Sequence, residues 1–425
     1  MNKLTSKFYL VGIKGSGMSA LAKLLKSMGN TVMGCDYLKH FYTEDDMADI
    51  IINDMDIEYL NEDYTFIIGN AFLENPLTEY IINNGYKYYT YPEFIDKLAK
   101  EYTLVCISGT HGKTTTAKLA SMMIENSTYL IGDGTSRAKG NVFVLEACEY
   151  KDTFLNYHPD ISVVLNVDYD HPDYFKTKKD YDSSFLRFME QSKLVVCNGD
   201  SFYVNKENVI TYGIDDKNDI VFDISYLDDG MIINILDNNI KIPMLSKCHA
   251  YDFVGAYIVA KLLDMDDEKI ANAVKNFKMP KRRMEKIDYL NYSIYLDYAH
   301  HPKEISCVYD FIKMTIKNKK IVCVFQPHTI SRIKCFLSDF KKSLDLFDEV
   351  YLLPIFSSVR EYSDLSLEKE LYSKLEYIQI NSLAELQFSV DKVYLFLGAG
   401  DIDELLKNKL ARNVSKTITK TYEND

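Results

Sequence analysis

The sequence predicts a chain of three α/β domains, and three observations predict it. At 425 residues the chain is too long for one ordinary hydrophobic core. Its first and last thirds alternate strand-like apolar runs with helical patterns, as doubly wound sheets do. One grammar of apolar strand, glycine-rich turn and helix start also recurs at 8–25, 103–120 and 393–406. Each of these openings sets unpaired N–H groups of a helix start beside a turn with room for an anion.

The first domain, 1–100, is read as Rossmann-like, with strands at 8–12, 31–35, 65–69 and 87–91. Its turn reads Gly12-Ile13-Lys14-Gly15-Ser16-Gly17-Met18-Ser19-Ala20 and contains G-x-G-x-x-[GA]. Asp36 ends the next strand about 20 residues on, where the dinucleotide fingerprint places its acid. The pattern expects a diphosphate at the helix start with Asp36 near a ribose or base. A tight turn with Asp36 as a helix cap stands beside that reading.

The second domain, 101–278, opens on V-C-I-S-G-T-H-G-K-T-T-T. The usual phosphate loop spaces its residues G-x-x-x-x-G-K-[ST]. Here Ile107 stands where the first glycine is due, and Gly109 leaves the loop two residues short. Gly109, Thr110, His111 and Gly112 still supply a backbone nest, Lys113 a fixed cation for the β- and γ-phosphates, and Thr114 a hydroxyl for Mg²⁺. Thr115 and Thr116 are poor choices for helicity alone on an exposed helix. The domain is therefore expected to be of P-loop ATPase type, with a parallel sheet holding strands at 142–146, 161–167 and 193–197. A helix is expected at 250–263. Short runs and Asp/Asn/Gly turns over 205–244 predict a small antiparallel insert. Glu146 ends an apolar strand, the end at which active-site residues collect in parallel sheets. Asp170-His171 follows another; taken alone, His171 is more often a capped loop residue than a metal ligand.

The run F-K-M-P-K-R-R-M-E-K at 277–286 marks a junction. The third domain, 279–425, is again Rossmann-like: strand 293–297, helix 303–316, strand 320–325, helix 333–346 and strand 349–353. Two strand ends carry histidines, L-D-Y-A-H-H-P-K-E-I at 296–305 and F-Q-P-H-T-I-S-R at 325–332.

Composition narrows the function classes. Hydrophobic content of 47% and charged content of 26% are those of a soluble globular protein. No run approaches the ~20 apolar residues of a membrane span. The first glycine turn comes too early for a signal-peptide apolar region, so a cytoplasmic protein is expected. The 49 basic and 62 acidic side chains give −13, which argues against general nucleic-acid binding. An anionic substrate must then be held by local turns and helix starts rather than by the global field. The eight cysteines form no C-x-x-C pair, and buried free thiols are expected.

These residues together resemble the Mur ligases, and within them the alanine-adding branch. The resemblance runs almost end to end, through V-G-I-K-G-S-G-M-S-A-L-A, I-G-N-A-F, S-G-T-H-G-K-T-T-T, L-I-G-D-G-T, E-A-C-E-Y, D-H-P-D-Y-F, K-R-R-M-E, D-Y-A-H-H-P-K-E-I, F-Q-P-H-T-I-S-R and L-G-A-G-D-I. The short G-T-H-G-K-T-T is this family's form of the phosphate cradle. The resemblance implies ATP-dependent joining of L-alanine to UDP-N-acetylmuramate through an acyl phosphate, with ATP and two Mg²⁺ ions. It places Gly12, Gly15, Ser16, Gly17, Met18 and Asp36 at the uridine diphosphate. Gly109 to Thr115, Asp252, Arg283 and Asp297 fall at ATP. Thr114, Glu146 and His171 fall at metal, and Tyr298, His328 and Arg332 around the amino acid, with Arg332 facing the alanine carboxylate. Lys113, Glu146, His171 and Asp297 are the implied catalytic set.

One segment departs from the family. It usually shows H-N-x-x-N before an alanine-rich helix, the asparagines reading adenine. Here Tyr251-Asp252-Phe253-Val254-Gly255-Ala256 stands in its place, with neither asparagine. Leu296 likewise replaces the first acid of D-D-Y-A-H-H-P. Three alternatives remain at this point: a ligase that recycles murein tripeptide, a degenerate relative that only binds UDP-sugar, and an NAD-dependent dehydrogenase resting on the first turn alone. The oligomeric state, monomer or homodimer, is not read from the sequence.

Overall fold

The structure, a computed structural model, describes residues 6–37, 47–227, 229–244, 246–356 and 364–411. They fall into two compact units. One is drawn from 1–169, 177–244 and 249–277, the other from 170–176, 245–248 and 278–425. The first unit holds two sheets and the second holds one, so three α/β layers are present, as predicted.

The N-terminal sheet is parallel throughout. Its order is Ile51–Asn53, Thr31–Cys35, Lys7–Val11, Thr65–Ile68, Tyr88–Thr90. The order reverses beside Lys7–Val11, the place where open α/β sheets receive ligands. The helix Ser16–Ser27 starts there. Tyr9, Val11, Phe66 and Ile68 alternate onto one buried face, with Leu77 and Ile81 packed over it.

In the central sheet the strand Thr103–Ser108 lies between Ile161–Val164 and Val142–Glu146, all parallel. The phosphate loop therefore leaves the sheet with a neighbour on each side. The expected antiparallel insert is only partly so. Val209–Gly213 and the start of Ile220–Leu227 extend the sheet in parallel. Only Gly230–Ile235 and Asn238–Ile242 run antiparallel beyond them. Short polar turns do not distinguish a hairpin from a parallel edge, which accounts for the difference. The expected helix at 250–263 is Lys247–Leu262, buried from Phe253 to Ala260 on all sides.

The C-terminal sheet has the order Glu285–Tyr289, Tyr292–Asp297, Lys392–Leu397, Lys320–Phe325, Glu349–Leu352, Ile378–Gln379. The first pair is antiparallel and the rest are parallel. The expected helix 333–346 is two, Ile330–Cys335 and Leu337–Leu344, broken at Phe336 with φ −111° and ψ 25°. Cys35, Cys106, Cys197 and Cys323 are buried free thiols as expected. Cys248 and Cys307 are instead joined by a disulfide, a pairing that their 59-residue separation hides from the sequence.

Candidate active site

The phosphate loop is shaped by two glycines and an asparagine. Gly109 and Gly112 have φ of +143° and +84°, which favour glycine. A Cβ on Gly109 would sit 2.9 Å from Leu165 Cβ. The loop N–H groups are then ordered by Asn166. The Asn166 carbonyl accepts from Thr110 N at 3.0 Å, and its side-chain oxygen from His111 N at 2.8 Å. Its amide donates back to His111 O at 3.0 Å. The His111 ring lies 3.9 Å from the Asp168 carboxylate.

Lys113 opens the helix Lys113–Met123. Its ammonium donates to Gly109 O, to Thr110 O at 2.9 Å, and meets the Glu149 carboxylate at 2.9 Å. Burial pulls its pKa down, but the carboxylate of Glu149 outweighs that and raises it above the ordinary lysine value. Thr115 and Thr116 are 4% and 0% exposed. The helix they lie on is buried rather than exposed, and they are packed residues.

Thr114 donates from its hydroxyl to Glu146 Oε1 at 3.1 Å, while Gly132 N donates to Glu146 Oε2 at 2.8 Å. Burial raises the Glu146 pKa, and the contacts from Gly132, Lys113 and Thr114 offset that only in part. A carboxylate held against its desolvation cost gains when a cation arrives. Among the described residues no group of three or more His, Cys, Asp or Glu is gathered as a metal cage. One carboxylate and one hydroxyl suit Mg²⁺, which keeps several waters and takes phosphate oxygens.

Asp252 is buried against the same loop: a Cβ on Gly112 would lie 2.1 Å from Asp252 Oδ1. Gly255 does not face open space. A Cβ there would meet the Tyr212 hydroxyl at 2.9 Å, Val163 at 3.1 Å and Leu165 at 3.3 Å. Tyr212, fully buried, fills that space and donates to Tyr251 O at 3.2 Å. The lost side chain at 255 is thus matched by a tyrosine brought in from the strand Val209–Gly213.

At the N-terminal turn Gly12 has φ +81°, and Gly15 precedes the helix opened by Ser16. A Cβ on Gly17 would lie 3.1 Å from the Tyr91 hydroxyl. Met18 is buried, packing against Gly69. Asp36 accepts from Lys14 N at 3.0 Å and is 6% exposed. Its carboxylate braces the glycine turn from the end of the next strand.

The second unit gathers the remaining motifs at adjacent strand ends. Asp297 accepts from Met284 N and Ala299 N, both at 2.7 Å, and burial pushes its pKa up to about 6. The Arg282 and Arg283 guanidinium groups lie 4.9 and 5.2 Å from the Tyr298 ring centroid. Arg283 also approaches Glu304 at 3.9 Å. Burial pushes the His300 pKa down to about 4, so it is neutral at pH 7. His328 stacks on Phe356 with centroids 5.7 Å apart. The guanidinium of Arg332, 3% exposed, is engaged by Asp170: Nε to Oδ1 at 2.9 Å and Nη2 to Oδ2 at 3.2 Å. Beside Asp170, the His171 ring lies 3.8 Å from its carboxylate.

The structure thus brings Gly109 to Thr115, Glu146 and Asp252 together in the first unit. It places His171, Asp297, Tyr298, His328 and Arg332 in the second. Sequence reasoning missed four residues: Asn166, Glu149, Tyr181 and Arg282. Arg282 donates to Gly398 O at 2.9 Å and Gly400 O at 2.8 Å, tying K-R-R-M-E to L-G-A-G-D. Asn166 and Glu149 each end or follow a strand beside the loop, and that position was the available signal.

Comparison with known proteins adds to this geometry. Residues 7–103 match the description "Mur ligase family, catalytic domain", 107–260 "Mur ligase middle domain" and 282–412 "Mur ligase, glutamate ligase domain". The chain is 34% identical over 422 residues to the UDP-N-acetylmuramate–L-alanine ligase of Lactobacillus acidophilus, covering 93% of this chain and 96% of that one. It is 33% identical over 437 residues to the ligase of the same name from Streptococcus agalactiae, covering 95% and 99%. The fold is similar to that of the UDP-N-acetylmuramate–alanine ligase of Thermotoga maritima, with TM-score 0.81 at 22% identity over 96% of this chain and 99% of that one. It is also similar to a murein peptide ligase of Psychrobacter arcticus, with TM-score 0.72 at 18% identity over 96% and 98%.

Proposed function

The chain belongs to the Mur ligase family, and we propose that it joins L-alanine to UDP-N-acetylmuramate at the expense of ATP, for peptidoglycan synthesis. The observation that carries this reading is the near end-to-end similarity to alanine-adding ligases at 33–34% identity. The phosphate loop with its Thr114–Glu146 pair supplies the chemistry.

The difficulty of the reaction is electrostatic. A carboxylate must approach a triphosphate, and like charges repel. Lys113, kept protonated, holds phosphate oxygens, and the N–H groups of Gly112 to Thr115 line the cradle at the helix start, those of Thr110 and His111 being spent on Asn166. Thr114 and Glu146 would hold Mg²⁺, with His171 proposed for a second ion; such ions supply charge neutralisation at the phosphates. The sugar carboxylate attacks the γ-phosphorus, ADP leaves, and the amine of L-alanine displaces phosphate from the acyl phosphate. Gly12, Gly15, Ser16, Gly17 and Met18 are proposed to receive the uridine diphosphate at their helix start, with Asp36 fixing the turn. Asp252 is proposed at the adenine, and Arg283 and Asp297 at ATP from the third domain, 279–425. Tyr298 and His328 are proposed around the amino acid; Arg332 acts there by fixing Asp170 and the His328 carbonyl, to which it donates at 3.2 Å.

The test is phosphate release with ATP, Mg²⁺ and UDP-N-acetylmuramate, with and without L-alanine. Release should depend on L-alanine and be lost in Lys113→Ala and in Glu146→Ala. Release unaffected by either substitution refutes the site assignment. Release supported by a murein tripeptide but not by L-alanine moves the chain to the recycling ligases.

A further inference from the structure

The lysine of the phosphate loop is already engaged before any nucleotide arrives. An ammonium has three N–H donors. Here two are accepted by Gly109 O and Thr110 O, and the ammonium lies 2.9 Å from the Glu149 carboxylate as an ion pair. A phosphate oxygen that reaches Lys113 competes with these three groups. Two are loop carbonyls, neutral and part of the cradle itself. The third is a carboxylate, 1% exposed.

Glu149 is also held so that it cannot follow the lysine. Lys151 and Asp152, two and three residues on, have φ of +54° and +56°. Asp152 is clamped by Ser184 and by Arg187 at 3.2 Å, both on the helix Lys178–Gln191. The same helix supplies Tyr181, whose hydroxyl lies 3.4 Å from Glu149 Oε1 and 2.8 Å from Thr110 Oγ1. Thr110 in turn donates to Asp168 O at 2.8 Å. Loop, tyrosine and carboxylate thus form one buried hydrogen-bonded run whose carboxylate pairs with Lys113.

We propose that Glu149 competes with the nucleotide for Lys113, weakening its hold on polyphosphate and returning the lysine to a closed pair as ADP leaves. The inference rests on the reading of the loop as an ATP site. Two effects act in the same direction. In the empty site the ion pair must be broken before phosphate binds. In the filled site a buried carboxylate that has lost its counter-charge faces the phosphates and repels them. Glu149 is a positioning residue: it acts through Lys113 and touches no reacting atom.

The sign of one substitution tests this. Glu149→Gln keeps shape and hydrogen bonding but removes the charge. Calorimetric titration with ADP, in EDTA and again with Mg²⁺, should show a Kd about tenfold lower than that of the unsubstituted protein, about 1.4 kcal/mol by the affinity relation. Glu149→Asp, its charge retained but set back by one methylene, should fall between the two. The KM for ATP should drop in Glu149→Gln without a rise in kcat. A purely supporting role for Glu149 predicts weaker binding in both variants, and that result overturns the proposal. So does an unchanged Kd, or a loss confined to the Mg²⁺ arm, which would make Glu149 a metal ligand. Failure of the unsubstituted protein to bind ADP sinks the ATP reading and this inference together. Binding with no gain in Glu149→Gln sinks the inference alone.

Discussion

Gly112→Ala is the sharpest structural test of the phosphate loop, because two separable costs meet at one atom. The first is backbone strain. Gly112 has φ +84°, and a residue with a Cβ loses about 1–2 kcal/mol in the left-handed region. The second is steric: the new Cβ would lie 2.1 Å from Asp252 Oδ1, more than 1 Å inside an ordinary contact. Moving a buried carboxylate that far is an overpacking change, about 1–3 kcal/mol. Gly29 separates the two, since it has φ +87° with nothing within 4 Å of a Cβ. Gly29→Ala should therefore show the strain alone. Gly112→Ala should cost about 2–5 kcal/mol by the sum of these two terms, and Gly112→Ala in an Asp252→Ala background only the strain. The assay is thermal melting of the four variants in that cycle, where about 1 kcal/mol moves the midpoint of a domain this size by about 2–4 °C. A coupling of ~1–3 kcal/mol is expected for residues in contact. Strict additivity of Gly112→Ala and Asp252→Ala would show that Asp252 does not press on the loop.

Two further outcomes follow from buried pairs. Asp170→Asn should destabilise the protein by about 3–5 kcal/mol, since it leaves the Arg332 guanidinium buried without its counter-charge; melting temperature reads it. Burial works to raise the Asp170 pKa, but the Arg332 charge outweighs it and holds the carboxyl well below the usual range. A group with a depressed folded pKa stabilises above its unfolded value of about 3.9 and loses that contribution as pH falls through the folded one. The gap between the unsubstituted protein and Asp170→Asn should therefore be flat above about pH 5 and close only in more acid solution. Gly255→Asn should lower the melting point and raise the KM for ATP, because Tyr212, Val163 and Leu165 occupy the space the side chain needs. An unchanged melting point would mean that the tyrosine yields. Sequence comparison alone would have the asparagine restore a contact at this position; the packing reverses that expectation.

What was legible in the sequence was local. Gly15, Gly112, Lys113 and Thr114 stand at fixed offsets from a strand end, and such spacing survives folding unchanged. The strand ends carrying Glu146, Asp297 and His328 were read the same way. Partners from distant segments were not legible. Asn166 orders a loop about 55 residues before it, and Tyr181 reaches Thr110 from a helix 71 residues on; neither leaves a periodic trace. Tyr212 in the place of a side chain at 255 is a packing exchange between a strand and a helix, and a motif comparison sees only the half that is lost. The antiparallel insert was overextended because turn residues mark where a chain bends, not the direction in which the next strand pairs.

Arg282 and the order of the C-terminal sheet bear on how the protein is made. The strand Lys392–Leu397 lies between Tyr292–Asp297 and Lys320–Phe325, and Arg282 donates to the carbonyls of Gly398 and Gly400 just beyond it. The strand that ends at Asp297 and the one that leads to His328 thus have no common neighbour until the strand Lys392–Leu397 emerges from the ribosome. At ~5–20 residues per second, the interval between Asp297 and Lys392 lasts about 5–20 s. Through that time a nascent chain already holding its phosphate loop carries an open sheet with two unpaired edges, and a chain stopped short of Lys392 never closes it.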